Sequence, residues 1–236
     1  MRLRLFGPPN LDARGDGTER PAPRSKMFAV LAFIAAADGG EPVAREAIVR
    51  AVWGGRATES GRQRLRQLLS AARRSFGSHV FLSGHSDTVG LSRVAVWCDA
   101  WALESAFARG DHAVVLDLYR GPLLHTFGGR LGPSWADWID EADARYRQLA
   151  CDAAWRASAE ARGAGQTRRA TELARRAVSL APDDERGVRE LIRLLRDAGD
   201  RSGALSEYDR FAARMRRDFG TQPAPETTAV VTFRNA

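Results

Sequence analysis

The chain has 236 residues, 44% of them hydrophobic and 28% charged, which is length enough for two domains with cores of their own and excludes a fibrous or disordered class. Its formal charge is +7, and the whole excess lies at one end: residues 1–96 hold 15 Lys and Arg against 8 Asp and Glu, whereas residues 97–236 hold 21 against 21, so a polyanionic partner is expected for the first part. The longest apolar run, Met27–Ala37, is well short of the roughly 20 residues of a membrane helix, Met1–Pro9 has no apolar run of secretory length, and Cys98 and Cys151 lack CxxC spacing, so a soluble, cytoplasmic protein with no membrane partner, metal site or disulfide framework is expected.

In chain order, the opening alternates, Leu3 and Leu5 facing inward between Arg2, Arg4 and Phe6, until Gly7-Pro8-Pro9 stops a strand. A short sheet with a turn at Gly15-Asp16-Gly17 is expected to fill the first 24 residues. Lys26–Ala37 predicts a helix with Met27, Val30, Leu31 and Ile34 on one stripe, ended by Asp38-Gly39-Gly40. Glu41-Pro42-Val43 reads as a brief extended link. Arg45–Trp53 predicts a second helix, stopped by Gly54-Gly55.

A third helix is predicted over Ser60–Phe76, where Ser60-Gly61-Arg62-Gln63 fits a capping box. At 3.6 residues per turn, Leu65, Leu68, Leu69, Ala72 and Phe76 fall on one stripe, and Gln63, Arg66, Gln67, Ser70 and Arg74 gather opposite. One side can be buried while the other offers guanidinium and carboxamide groups, which bond bidentately to guanine and adenine edges in the major groove of DNA. Val80-Phe81-Leu82 and Thr88-Val89-Gly90-Leu91 flank the polar turn Gly84-His85-Ser86-Asp87. They predict a β-hairpin, and a hairpin directly after a basic third helix is a wing.

From Trp101 onward the pattern is helical and it repeats. Gly110-Asp111 is followed by Val115-Leu116 and Tyr119 at the offsets at which Gly199-Asp200 is followed by Ala204-Leu205 and Tyr208. Gly165 and Ala170 precede Gly199 and Ala204 by 34 residues, the period of tetratricopeptide repeats. Pro182 followed by Asp183-Asp184-Glu185 marks another helix start. A long helix over Ser134–Arg162 aligns Trp135, Trp138, Ile139, Ala142, Tyr146, Leu149 and Ala153 as a core stripe. The fold class expected is mainly α: a winged helix-turn-helix domain over 1–96, then an all-α, tetratricopeptide-like domain over 97–236.

Catalytic chemistry has no constellation to run on. Ser83, His85 and Asp87 alternate along one short turn and cannot converge as a triad, and no G-x-S-x-G elbow exists. His79, His112 and His125 have no partners at metal-ligand spacing, and no Gly-rich phosphate loop precedes a lysine. No enzyme activity, cofactor or metal is expected.

Several motifs in a fixed order resemble a known family. Arg24-Ser25-Lys26 into an apolar helix, Val43-Ala44-Arg45-Glu46 into Ala51-Val52-Trp53-Gly54, and Leu65-Arg66 through Ala72-Arg73-Arg74 resemble the OmpR/PhoB-type winged helix of SARP-like (antibiotic regulatory protein) transcriptional regulators. The second half resembles their bacterial transcriptional activator domain, BTAD. The residues that carry it are Leu118-Tyr119-Arg120-Gly121-Pro122-Leu123-Leu124, the Trp135-to-Trp138 segment, Ala181-Pro182-Asp183-Asp184-Glu185, Gly199-Asp200, and Phe219-Gly220 through Pro223-Ala224-Pro225-Glu226-Thr227. The resemblance implies a sequence-specific activator that binds double-stranded DNA at promoter repeats, several protomers together as a homo-oligomer on DNA, and engages RNA polymerase in the nucleoid. It puts Arg66, Gln67, Ser70 and Arg74 on the groove-facing side, Arg62, Arg64 and Arg73 against phosphates, and His85 on the wing near the minor groove. The wing departs from the family by lacking its Gly-Tyr pair. The other reading open to the sequence is a tetratricopeptide-like interaction scaffold with only non-specific nucleic-acid affinity.

Overall fold

The computed structural model describes residues 1–13, 25–55, 58–82, 87–125, 127 and 131–232. Arg24, the turn expected at Gly15-Asp16-Gly17, and the hairpin tip from Ser83 to Ser86 with His85 lie outside the described residues. The fold is mainly α, with short strands in its first part, and the chain divides into two compact units, Met1–Arg147 and Gln148–Ala236.

In the first unit, β1 (Arg2–Arg4) pairs antiparallel with β2 (Asn10–Asp12). Ser25 then caps α1 (Lys26–Ala36), its hydroxyl accepting from the Phe28 amide. The expected single stripe is too narrow a description of this helix: every residue from Phe28 to Ala36 is buried, and Met27 is only half-buried. An apolar sequence all round a helix puts it at the centre of a core rather than on a face. Glu41-Pro42-Val43 is likewise more than a link, because Val43–Ala44 is a strand, β3. After it come α2 (Arg45–Trp53), with the bounds the sequence predicts, and α3 (Glu59–Phe76).

The predicted capping box does not form. Thr58 is the N-cap of α3 and accepts from the Gly61 amide at 3.2 Å, while Ser60 sits inside the helix with its hydroxyl 3.1 Å from that of Thr58. Starting two residues earlier brings acidic Glu59 into the first turn, where the positive end of the helix dipole favours it. Gly61 packs against α2: a Cβ there would stand 2.6 Å from Val49 Cγ1.

The hairpin is present through Phe81 paired with Leu91, and through the Leu82 amide donating to Gly90 O and the Ser92 amide to Val80 O. Its first arm is shorter than predicted, since Ser78–Val80 is a 3-10 turn. In its second arm β4 (Thr88–Val89) pairs antiparallel with β3. β5 (Trp97–Cys98) returns parallel to β1 and leads into α4 (Asp99–Arg109) and α5 (His112–Leu118).

At the start of α4 the buried Asp99 carboxylate accepts from the Leu5 amide at 2.9 and 2.8 Å and from the Phe6 amide at 3.1 Å. Phe6 also bridges antiparallel to Leu123, and Gly7 donates to Pro122 O, so the segment from Leu118 to Leu124 is stitched to the end of the first strand. The Phe6 ring meets Tyr119 and Tyr146 at 5.3 and 5.1 Å. These bonds explain why the compact first unit extends through Arg147 rather than stopping near the hairpin.

α6 (Pro133–Gly163) carries the predicted stripe, with Trp135, Ala142, Tyr146 and Ala153 buried and Trp138, Ile139 and Leu149 half-buried. In the second unit it is followed by α7 (Thr167–Leu180), α8 (Glu185–Asp197), α9 (Arg201–Arg214), a π-helical turn over Met215–Phe219, and α10 (Pro225–Val231). The repeat read from the sequence is a repeat of hydrogen bonds. Gly110, Gly165 and Gly199 all have φ between 72° and 80°, and the residue after each donates back to the preceding helix: Asp111 to Ala106 O, Gln166 to Ala161 O, Asp200 to Leu195 O. Only glycine takes that left-handed turn without strain. Ala170 and Ala204, five residues past their glycines, are buried to 2% and 0% exposure.

Asp184 caps α8, accepting from the Arg186 amide, as the acidic run predicts. Glu185 accepts from the Ala224 amide and Arg189 donates to the buried Thr227, so two motifs some forty residues apart meet at the start of α10. The core beneath them holds Val188, Leu191, Ile192, Leu195, Phe211, Val230 and Val231.

Candidate nucleic-acid interface

The candidate site is the solvent side of α3 together with the groove it forms with α2. Leu65, Leu69 and Ala72 are buried, and Gln63, Arg66, Gln67, Ser70 and Arg74 are all exposed. The two-sided character expected from periodicity is therefore physical. Arg74 donates from Nη1 to the Ser70 hydroxyl at 2.9 Å, which links two adjacent turns on the exposed side.

The arginines separate into groups that the sequence alone does not reveal. Arg62, Arg66 and Arg73 line one concavity of about 860 Å³, which α2 completes with Arg45, Glu46 and Arg50. Arg64 follows Arg62 by two residues, about 200° round the helix axis, and so points to the other flank. Among the residues lining the concavity, five guanidinium groups face two carboxylates, Glu46 and Asp87. Its floor includes Leu65 and Leu69.

Within this surface the charges are paired in a definite way. Arg62 Nη2 donates to Glu46 of α2, and Arg62 Nη1 stands 3.5 Å from Glu59. Arg66 Nη2 donates to the other Glu59 oxygen at 2.9 Å. Arg66, and after it Arg62, hold the Glu59 carboxyl below the usual carboxylate range, and Glu46 raises Arg62. Arg73 is half-buried with its guanidinium 5.1 Å from the centre of the Phe81 ring, so it is stacked on the hairpin's first arm.

Arg45 and Arg50 are contributions that sequence reasoning missed. Their signal was the alternation of charge with the buried Ile48, Val49 and Val52 on α2, but only the packing of α2 on α3 turns it toward the same groove. His85, the candidate wing residue, lies outside the described residues. Among those described, no cluster of His, Cys, Asp and Glu could hold a metal ion, and no helix is long and apolar enough to cross a membrane.

By fold, a mainly α chain whose later helices recur as Gly-turned pairs is a helical-repeat protein. Its family follows from its sequence: residues 99–232 match the bacterial transcriptional activator domain, and the chain belongs to that family. Among solved structures it is similar to Mycobacterium tuberculosis EmbR, determined in complex with a low-affinity phosphopeptide, with a TM-score of 0.65 and 21% identity over 98% of this chain. This chain spans 63% of that EmbR chain, and at that identity the likeness is one of fold. Comparison with curated protein sequences finds no match.

Proposed function

We propose that this chain is a SARP-like transcriptional activator that binds duplex DNA sequence-specifically through residues 1–96, used as a winged-helix module, and that residues 97–236 engage RNA polymerase and neighbouring protomers on promoter repeats. The observation that carries the proposal is α3 itself: one side buried in the core, the other an exposed row of arginine and carboxamide groups beside a basic groove. Arg66, Gln67, Ser70 and Arg74 are assigned to base edges, and Arg62, Arg64 and Arg73, with Arg45 and Arg50, to phosphates. His85 is assigned to the wing contact. The chemistry asked of these residues is recognition, with no bond made or broken. The setting this implies is the cytoplasm, at the nucleoid.

The test is selection of duplexes from a random-sequence pool by the full chain, then comparison of the selected duplex with a scrambled one. A preference on the order of a thousand-fold or more supports the proposal. Equal affinity for both would instead identify an interaction scaffold held to nucleic acid by charge alone.

A further inference from the structure

Two carboxylates stand in the middle of a surface whose proposed ligand is a polyanion. Glu59 is exposed, yet it takes a hydrogen bond from Arg66 seven residues on, about 10 Å along the helix axis, as well as the Arg62 contact. Arg66 therefore folds back toward the start of α3 rather than extending from it. Arg62 is drawn the other way, across the groove to Glu46. Exposed ion pairs of this kind contribute little to folding stability, and a first-turn acid satisfies the helix dipole without reaching a second turn.

We infer that Glu59, assisted by Glu46, is a specificity-determining residue: its carboxylate holds one nitrogen of the Arg66 guanidinium, which presents the group in a fixed pose to a base edge and withholds it from phosphates. The inference rests on the duplex-binding reading above. Its physical content is a competition. A cost levied alike on every duplex would cancel from the ratio of affinities, so the ratio is set by which contacts break the Glu59–Arg66 pair. A guanine edge accepting two parallel hydrogen bonds is met by the outer edge of the oriented guanidinium with that pair intact, whereas a phosphate contact on a random sequence must pull Arg66 off the Glu59 carboxylate. Selectivity then comes from penalising the wrong partner as well as fitting the right one. Arg66, and after it Arg62, hold the Glu59 carboxyl below the usual carboxylate range, so the group that holds Arg66 is a carboxylate at neutral pH.

The experiment measures the affinity of the full chain for its selected duplex and for a scrambled duplex of the same base composition, across salt concentrations. Glu59→Gln should raise affinity for the scrambled duplex by about ten-fold and for the selected one by less than about three-fold, and should steepen the salt slope on scrambled DNA by roughly 0.9, one phosphate contact. Glu59→Asp keeps the charge but is too short to reach Arg66, so it too should lower the ratio of the two affinities. A ratio unchanged in Glu59→Asp, or equal factors on both duplexes in Glu59→Gln, overturns the inference, since charge alone would then account for the effect. If the wild-type chain prefers neither duplex, the duplex-binding reading itself falls, whereas equal shifts in a chain with a clear preference remove only the role of Glu59. A gain in affinity cannot come from misfolding.

Discussion

Asp99 shows how much one carboxylate organises. Burial pushes its pKa from 3.8 up to about 6, while the amides of Leu5 and Phe6 pull it back down. Asp99→Ala would leave both buried amides without an acceptor, at about 1–3 kcal/mol each, so a loss of about 2–6 kcal/mol in urea unfolding is expected. Asp99→Asn keeps a carbonyl acceptor and should cost less. The folded chain binds this proton more tightly than the unfolded one, so the contribution of Asp99 is fully present below about pH 4 and is lost as pH rises through about 6. The stability advantage of wild type over Asp99→Asn should thus be larger at pH 4 than at pH 7, by up to about 3 kcal/mol. A difference independent of pH would show that the carboxyl does not titrate there. At the proposed interface, Arg66→Ala should cost about 1–3 kcal/mol on a selected duplex and relax preference at one base position. Equal losses on selected and scrambled duplexes would move Arg66 from the base-reading to the phosphate-binding group.

At the scale of elements, α3 depends on its cap and on its contact with α2. Thr58→Ala should destabilise the fold by about 1 kcal/mol, whereas Ser60→Ala should be nearly neutral, and thermal unfolding of the pair decides which residue caps the helix. Gly61→Ala gains up to about 1 kcal/mol in helix propensity but drives a methyl group into Val49, an overpacking cost of about 1–3 kcal/mol. It should be neutral to destabilising alone and stabilising when Val49→Ala makes room, a change of sign that a double-mutant cycle reads directly. These elements also show what a sequence can and cannot disclose. The bounds of α2, the exposed side of α3 and the glycine turns after residues 109, 164 and 198 were legible because periodicity and left-handed glycine are local signals. The burial of α1 on all sides, the pairing of β3 with β4, the bonds from Phe6 and Gly7 to the segment at Leu123, and the Asp99 acceptor were not, because each joins residues far apart in the chain. The same limit applies to the site. Its arginines could be named from the helix, but the share taken by Arg45 and Arg50, and the hold of Glu46 on Arg62, exist only once α2 lies against α3, and the Glu59–Arg66 pair spans seven residues of α3, beyond the spacing at which helix neighbours usually meet. The cap was misread for a different reason: Thr58 and Ser60 both present a hydroxyl two residues apart, and the acid at Glu59 decides in favour of the earlier start.

Over the whole molecule, charge is divided more sharply than structure. The first 96 residues carry the entire net excess of +7 and the remaining 140 sum to zero, while the compact division falls near Arg147. A polyanion bound to this chain should therefore release counterions from one region only. Each arginine that contacts a phosphate contributes roughly −0.9 to the slope of log affinity against log salt. Arg62→Gln, Arg50→Gln and Arg73→Gln should each flatten that slope by about one contact on selected and scrambled duplexes alike. Arg168→Gln is the matched control: its side chain is 94% exposed in the second unit and paired with Glu172, so its loss should leave the slope unchanged. Titrations at four or more salt concentrations separate the two cases. If Arg168→Gln flattened the slope as much as Arg62→Gln, the helical repeats would be carrying duplex contacts themselves, and the assignment of polyanion binding to residues 1–96 would have to be abandoned.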